Sequence, residues 1–411
     1  MSAFSIPLSG LETTSQSLNV IANNLANLNT DGYKDQTLNF SDIFNQVQST
    51  SGNGDPIQTG TGVEAASTTS NFTNGSVSST GIASNMALQG NGFFVVQSGD
   101  QVHYTRAGDF TVNASGQLCT TSGELVMGYP ATDGVVSTSS TLAPISVNQS
   151  STLPAVATTT FQTETNLDAS AAVGAAFSTP ITVYDSLGTS QTLTVQYTNT
   201  ASNTWSYSVT LPASATGASS ATTIASGTMT FNSSGQLTSP SGSIPGVKIS
   251  GLSDGAAPMD LTWNLVDSSG NQTITQQASA SATSSTTQNG YADGTLSGYS
   301  VLADGTVQGQ FTNGETLALG QVAIASFANT QGLAQVGNND LQSTFASGAA
   351  IIGQAGSAGN GTITGGSVEE SNVNLSSEFA NMIVAQQGYE ANAKVLTTLN
   401  QVSQATIQMM S

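Results

Sequence analysis

The chain has 411 residues, of which only 7% are charged, and its 24 acidic against 4 basic side chains give a formal net charge of -20. A field of that sign repels nucleic acid and anionic lipid, which argues against both as partners. At about 100 to 200 residues per domain, the length allows two to four domains, each able to bury a core.

The opening, MSAFSIPLSG, has no basic region, no long apolar stretch and no small-residue cleavage site, so a removable secretory signal is not expected. No run reaches the roughly 18 apolar residues of a membrane span, and membrane insertion is not expected either. Leu11, Leu18, Ile21, Leu25 and Leu28 then recur at steps of seven, three, four and three, which lays one stripe along a helix of about 20 residues. Ser9 and Glu12 have the spacing of a capping box at its start, and Asn29, Thr30, Asp31 and Gly32 supply a stop. Asn23, Asn24 and Asn27 are poor helix formers and lie off the stripe.

Residues 47–70 have linker composition, and 31–70 is read as a connecting segment. From Asn91 to Tyr129 short alternating runs are separated by Asn91-Gly92, Ser98-Gly99, Ser115-Gly116 and Ser122-Gly123, which are hairpin signals. Cys119, alone in the chain, excludes an intrachain disulfide and reads as a small buried side chain. A matching block at 290–361 turns at Asp293-Gly294, Asp304-Gly305 and Asn313-Gly314. Residues 146–284, rich in Ser, Thr and Ala and carrying Trp205 and Trp263, read as an inserted β-barrel or sandwich. Towards the end, Leu375, Phe379, Met382, Gln386, Tyr389, Ala393 and Leu396 alternate steps of four and three, the pattern of a coiled-coil seam; Leu399, Val402, Thr406 and Met409 continue it after a one-residue slip.

The fold expected is mainly β with α-helical termini: a nested multidomain rod whose terminal helices form a coiled coil, with the outer of two β-rich domains inserted into the inner. The boundaries are 1–30 and 370–411 for the helical part, 71–145 and 285–369 for the inner β domain, and 146–284 for the outer one. Narrow apolar stripes flanked by Ala, Asn, Gln, Ser and Thr do not stabilise isolated helices, so both ends call for partners.

Catalytic constellations are missing. His103 is the sole histidine, set in an alternating strand pattern, so it reads as a strand side chain rather than the centre of a Ser-His-Asp set. No Cys/His metal spacing exists, and the oxygen-rich DGTVQGQF and DSLGTSQ stretches read as hairpin turns. Glu369 and Glu370 are placed to complement the dipole of the following helix. No enzyme activity, cofactor or metal is expected.

SGLETTSQSLNVIANNLANLNTDGYK with FSDIF, then ALQGNGFFVV, YTRAGDFTVNASGQL and LVMGY, and finally YADGTLSGYSVLADGTVQGQFTNGETLALG and EESNVNLSSEFANMIVAQQGYEANAKVL, resemble in this order the axial proteins of the bacterial flagellum, the rod and hook family. The matches span about half of the chain and both ends. Gly388 departs from the pattern, standing where a basic residue is usual. Rod members are shorter, and the insertion with NLDAS and VYDSLGTSQTLTV resembles the outer domain of hook members, which favours a hook subunit over a distal rod subunit.

The resemblance implies a helical homopolymer: a flexible tube that carries torque from rod to filament. It implies rod and hook–filament junction proteins as neighbours, a hook cap and the flagellar export apparatus as partners in assembly, and an extracellular location reached without a cleaved signal. Leu11, Leu18, Ile21, Leu25 and Leu28 with Phe379, Met382, Tyr389 and Leu396 are then the expected polymerisation interface, their polar flanks facing neighbours or the channel. A β-rich extracellular adhesin is the reading from another class; it predicts a repeat of fixed period, which the sequence lacks.

Overall fold

The structure, a computed structural model, describes residues 4–43, 46–50, 56–148 and 151–410. It divides into two compact units, one of Met1–Asn148, Tyr299–Gly309 and Leu317–Ser411 and one of Gln149–Gly298 and Gln310–Thr316. The architecture is mostly β with a helix at each end, as the sequence patterns predict.

The first unit opens with helix α1 (Ser5–Ala26), which starts a turn earlier than the Ser9–Glu12 spacing predicts. Pro7 sits in its first turn, where a missing N–H costs nothing because that position has no helical acceptor. Ser9 is therefore already helical and donates its hydroxyl to the Ile6 carbonyl at 2.8 Å, so the capping box does not form. Beyond α1 the chain turns at Gly32, with φ of 70°, where an added Cβ would lie 2.4 Å from the Ala107 nitrogen. Glycine is required there for the conformation and for the approach.

Strands β1 (Gln36–Asp42) and β2 (Val63–Ser70) pair antiparallel from Gln36 opposite Ser70 to Asp42 opposite Val63, so part of the stretch of linker composition is hydrogen-bonded sheet. Strands β3 (Phe93–Ser98) and β4 (Gln101–Thr105) form a hairpin around Gly99, and β5 (Leu125–Thr132) pairs with β3 on its other side. Further along the chain, β6 (Asp340–Gln342) pairs with β4. This sheet is covered on both faces. Phe94 and Val96 pack with Phe110, Leu118, Val126 and Ile324 on one side; Phe93 and Val95 pack with Tyr104, Met127 and Leu341 on the other. Burial on two faces explains why Phe93–Val96 reads as a continuous apolar run rather than an alternation. Cys119 is a buried free thiol.

After β7 (Ser367–Glu369) the first unit ends in helix α2 (Leu375–Met410), whose 36 residues span about 54 Å. The Asn374 carboxamide oxygen accepts from the Ser376 and Ser377 amides at 3.0 and 3.2 Å and caps its start. The helix runs unbroken through the expected slip near Leu396.

In the second unit two five-stranded sheets enclose one core. One is a meander of consecutive antiparallel strands from Ala176–Tyr184 to Leu237–Ser239. In the other, Thr160–Asp168 pairs parallel with Met259–Asn264 and with Ile274–Gln277, and antiparallel with Ala282–Gln288. Strict alternation of buried and outward residues along Ser190–Ala201 and Thr204–Leu211 gives each strand one apolar face. Trp263, fully buried, stacks on Phe161 with centroids 5.7 Å apart and meets Tyr207 edge-on at 5.4 Å. Trp263→Ala is expected to cost about 3–5 kcal/mol, measured by urea denaturation with Trp205 as the fluorescent reporter.

Candidate assembly surface

Helices α1 and α2 lie against each other in opposite directions. A Cβ built on Gly10 would meet the Asn392 side chain at 2.8 Å, one on Gly388 would meet Thr14 Cγ2 at 3.3 Å, and Asn24 lies near Glu378. The ridge of α2 that faces α1 thus includes Glu378, Ala385, Gly388 and Asn392. It runs one residue ahead of the Phe379, Met382, Tyr389 and Leu396 series. Small side chains let the two backbones approach closely, and Gly388 is the point where a larger residue would press on Thr14.

The larger apolar residues of α2 are left outside this contact. Phe379 is 47% and Tyr389 43% exposed, while Met382 and Leu396 are half-buried. Ile383, Val384, Val395, Val402, Ile407 and Met409 are exposed as well. On α1 only Ile21 of the predicted stripe is buried; Leu11, Leu18, Leu25 and Leu28 are half-buried. Val20, Ile21, Leu38, Phe40, Val384 and Ala385 line an apolar groove between α1, β1 and α2. Exposed apolar side chains over this length of helix are the candidate association surface.

The asparagines of α1 divide between anchoring and exposure. Asn24, 1% exposed, donates to Asp35 Oδ1 at 2.7 Å and to the Gln36 carbonyl at 2.8 Å, and its oxygen accepts from the Tyr33 hydroxyl and the Gln36 amide, both at 3.1 Å. All four of its hydrogen-bonding positions are used within the chain. Asn24, expected on a face turned to neighbours or the channel, therefore serves the fold of the single chain instead.

Burial pushes the carboxyl of Glu378 above its ordinary range; the nearby Asn24 and Asn381 carboxamides oppose the shift and the Asp35 carboxylate adds to it. A raised value means that the folded chain holds this proton more tightly than the unfolded chain. The contribution to helix pairing is present below the ordinary pKa of 4.5 and is lost as pH rises through the elevated value. Glu378→Gln is therefore expected to melt higher than the parent at pH 7, with the advantage vanishing in mild acid, read from the helical circular dichroism signal.

Both helix roots converge on one buried carboxylate. Lys34, after α1, reaches Glu369 Oε1 at 2.6 Å, and Arg106, after β4, reaches Glu369 Oε2 at 3.3 Å; Glu369 is fully buried in β7, five residues before the cap of α2. The Gly75 amide also donates to Glu369 at 2.9 Å. Lys34 donates to the Thr73 carbonyl, and Arg106 donates to the Leu88 and Gly90 carbonyls and lies over the Phe93 ring. Burial lowers the pKa of both cations, and the charge of Glu369 opposes that shift. The helix-dipole role read for Glu369 is thus replaced by an ion triad, because the side chain points into the β unit. Spacing could not reveal it, although each member lies in a segment that carries the family resemblance.

Family models match the chain in four places: "Flagella basal body rod protein" over 6–34, "Flagellar hook protein FlgE/F/G D1 domain" over 87–164, "Flagellar basal body protein FlaE D2 domain" over 148–291 and "Flagellar basal body rod FlgEFG protein C-terminal" over 364–409. The flagellar hook protein FlgE of Escherichia coli K12 is 35% identical over 99% of this chain and 100% of its own length. The chain belongs to the flagellar hook protein FlgE family. Relatives of the same name from Salmonella typhimurium and Treponema pallidum are 35% and 31% identical over 99% and 95% of this chain, and over 100% and 96% of their own. Among solved structures, the Helicobacter pylori flagellar hook protein FlgE2 aligns with a TM-score of 0.54 at 16% identity, over 70% of this chain and 98% of that one, which supports the shared FlgE fold.

Proposed function

We propose that this chain is the structural subunit of a bacterial flagellar hook, polymerising into a flexible tube that passes torque from the rod to the filament. The observation that carries the reading is the set of apolar side chains of α2 left outside its contact with α1, in a chain aligned along nearly its whole length with hook proteins. In this reading 1–30 and 370–411 form the inner helical layer, 31–70 connects it, 71–145 and 285–369 form the inner β layer, and 146–284 faces outward. Leu11, Leu18, Ile21, Leu25 and Leu28 with Phe379, Met382, Tyr389 and Leu396 make the polymerising seam, Ile21 serving the fold of the single chain as well.

The mechanism joins two kinds of surface. Apolar helix seams hold neighbours firmly at small radius, while small, weakly charged β surfaces shift past each other at large radius with few desolvated ion pairs to break. The role is mechanical, with no reaction assigned. Rod and hook–filament junction proteins are its permanent neighbours; the hook cap and the export apparatus act during assembly and deliver it outside the cell.

Electron microscopy after salt-induced assembly tests this. Tubes of uniform diameter are expected from the full chain and none from a variant lacking residues 372–411. Tubes from both, or single particles from both, would overturn the seam assignment.

A further inference from the structure

The first unit buries a second group of charges that takes no part in joining the helices. Strand β4 carries His103, Glu124 directly precedes β5, and Asp340 opens β6. His103 Nδ1 lies 2.7 Å from Glu124 Oε1, and one ligand atom from each of the three residues lies within 4.8 Å of the others. Glu124 and Asp340 are 6% and 5% exposed.

His103 pairs with Glu124 Oε1 and is the one basic side chain beside the two acids, so it offsets at most one of their two charges. Glu124 Oε2 is buried and has no hydrogen-bond partner among the described residues. The neighbouring group is another carboxylate, that of Asp340, itself only 5% exposed. The Thr105 hydroxyl beside Asp340 has a single hydrogen, and the Asn339 carbonyl at 3.0 Å also takes it. No Lys or Arg is available: Lys34 and Arg106 are held by Glu369, Lys248 is near Asp260, and Lys394 is on α2. Two buried acids side by side, with a single imidazole for both and one unpartnered oxygen, need a cation or a shared proton between them.

We propose that His103, Glu124 and Asp340 bind one divalent transition-metal ion, of which Zn2+ fits the donor set best. An imidazole nitrogen with two carboxylate oxygens is a borderline set that suits Zn2+ and disfavours Ca2+ and Mg2+, which take oxygen ligands. Side-chain rotation of about an ångström would bring the donors to the roughly 2.1 Å that zinc requires. Of the three residues, Asp340 borders an open cleft, together with Thr105, Thr120 and Asn339. The ion would tie β4, the start of β5 and the start of β6 together. Positions 103, 124 and 340 are too far apart in the chain for any motif to join them, so the sequence reads as metal-free.

The full chain, stripped with EDTA and desalted, is titrated with ZnCl2 by calorimetry, and bound zinc is counted after equilibrium dialysis. One zinc per chain and a rise in melting temperature are expected, with X-ray absorption showing one imidazole in the shell. His103→Gln and Glu124→Gln are each expected to weaken binding at least about 100-fold, and millimolar Ca2+ should not compete. If Glu124→Gln fails to fold, His103→Gln decides, because it removes no charged carboxylate and the strand pairings of β4 with β3 and β6 are made by the backbone. Absence of stoichiometric binding, equal binding by His103→Gln, or displacement by Ca2+ would overturn the site and leave a proton shared between the two acids.

Discussion

Glu369→Ala is expected to lower the stability of the first unit by about 3–5 kcal/mol in equilibrium denaturation. The loss comes less from two missing ion pairs than from what they leave behind: Lys34 and Arg106 would remain buried with carbonyl partners and no counter-charge. Burial already pulls both pKa values down, so removing the carboxylate drives Lys34 towards its neutral form. Because Lys34 follows α1 and Glu369 precedes α2, the roots of both helices should become open to limited proteolysis. Lys248 gives the contrast. Its ammonium lies 3.9 Å from Asp260 with side chains 72% and 62% exposed, and Lys248→Ala should leave the denaturation midpoint unchanged. Replacing all three members of the triad with apolar residues of similar volume should recover most of the loss, which separates the penalty of an orphaned charge from the strength of the pairs.

The double variant Phe379→Asp/Tyr389→Asp should abolish tube formation in electron microscopy while leaving the denaturation of the single chain within about 0.5 kcal/mol of the parent. Both side chains are nearly half exposed, so the change sacrifices little intramolecular packing; two carboxylates on the seam would have to be desolvated in every subunit of a polymer. Ile21→Ala should do the opposite first, costing the monomer about 2–5 kcal/mol because that side chain is buried in the chain itself. Loss of monomer stability in the aspartate variant, or tubes formed by it, would place the seam elsewhere.

Periodicity revealed the two terminal helices because their apolar residues recur every three or four positions, and Gly dipeptides revealed the β hairpins. Periodicity could not show which ridge of α2 turns inward. It weights large apolar side chains, whereas close packing of two helices favours the small ones at Ala385 and Gly388, so the inner ridge is displaced by one residue. Strand β2 was hidden by Ser and Thr, which suit an exposed strand and a linker equally. The Glu369 triad and the His103 group each draw one member, Glu369 or Asp340, from more than 200 residues along the chain, and local pattern carries no trace of such pairings.

The inward turn of Lys34 and Arg106 shapes the assembled object. Only Lys248 and Lys394 are left to offset the outward acids of a chain with net charge -20. A tube built from such subunits is a polyanion whose walls repel along its whole length. The bathing electrolyte, acting within a Debye length of about 8 Å at physiological salt, then sets how readily subunits add and how stiffly the finished tube bends.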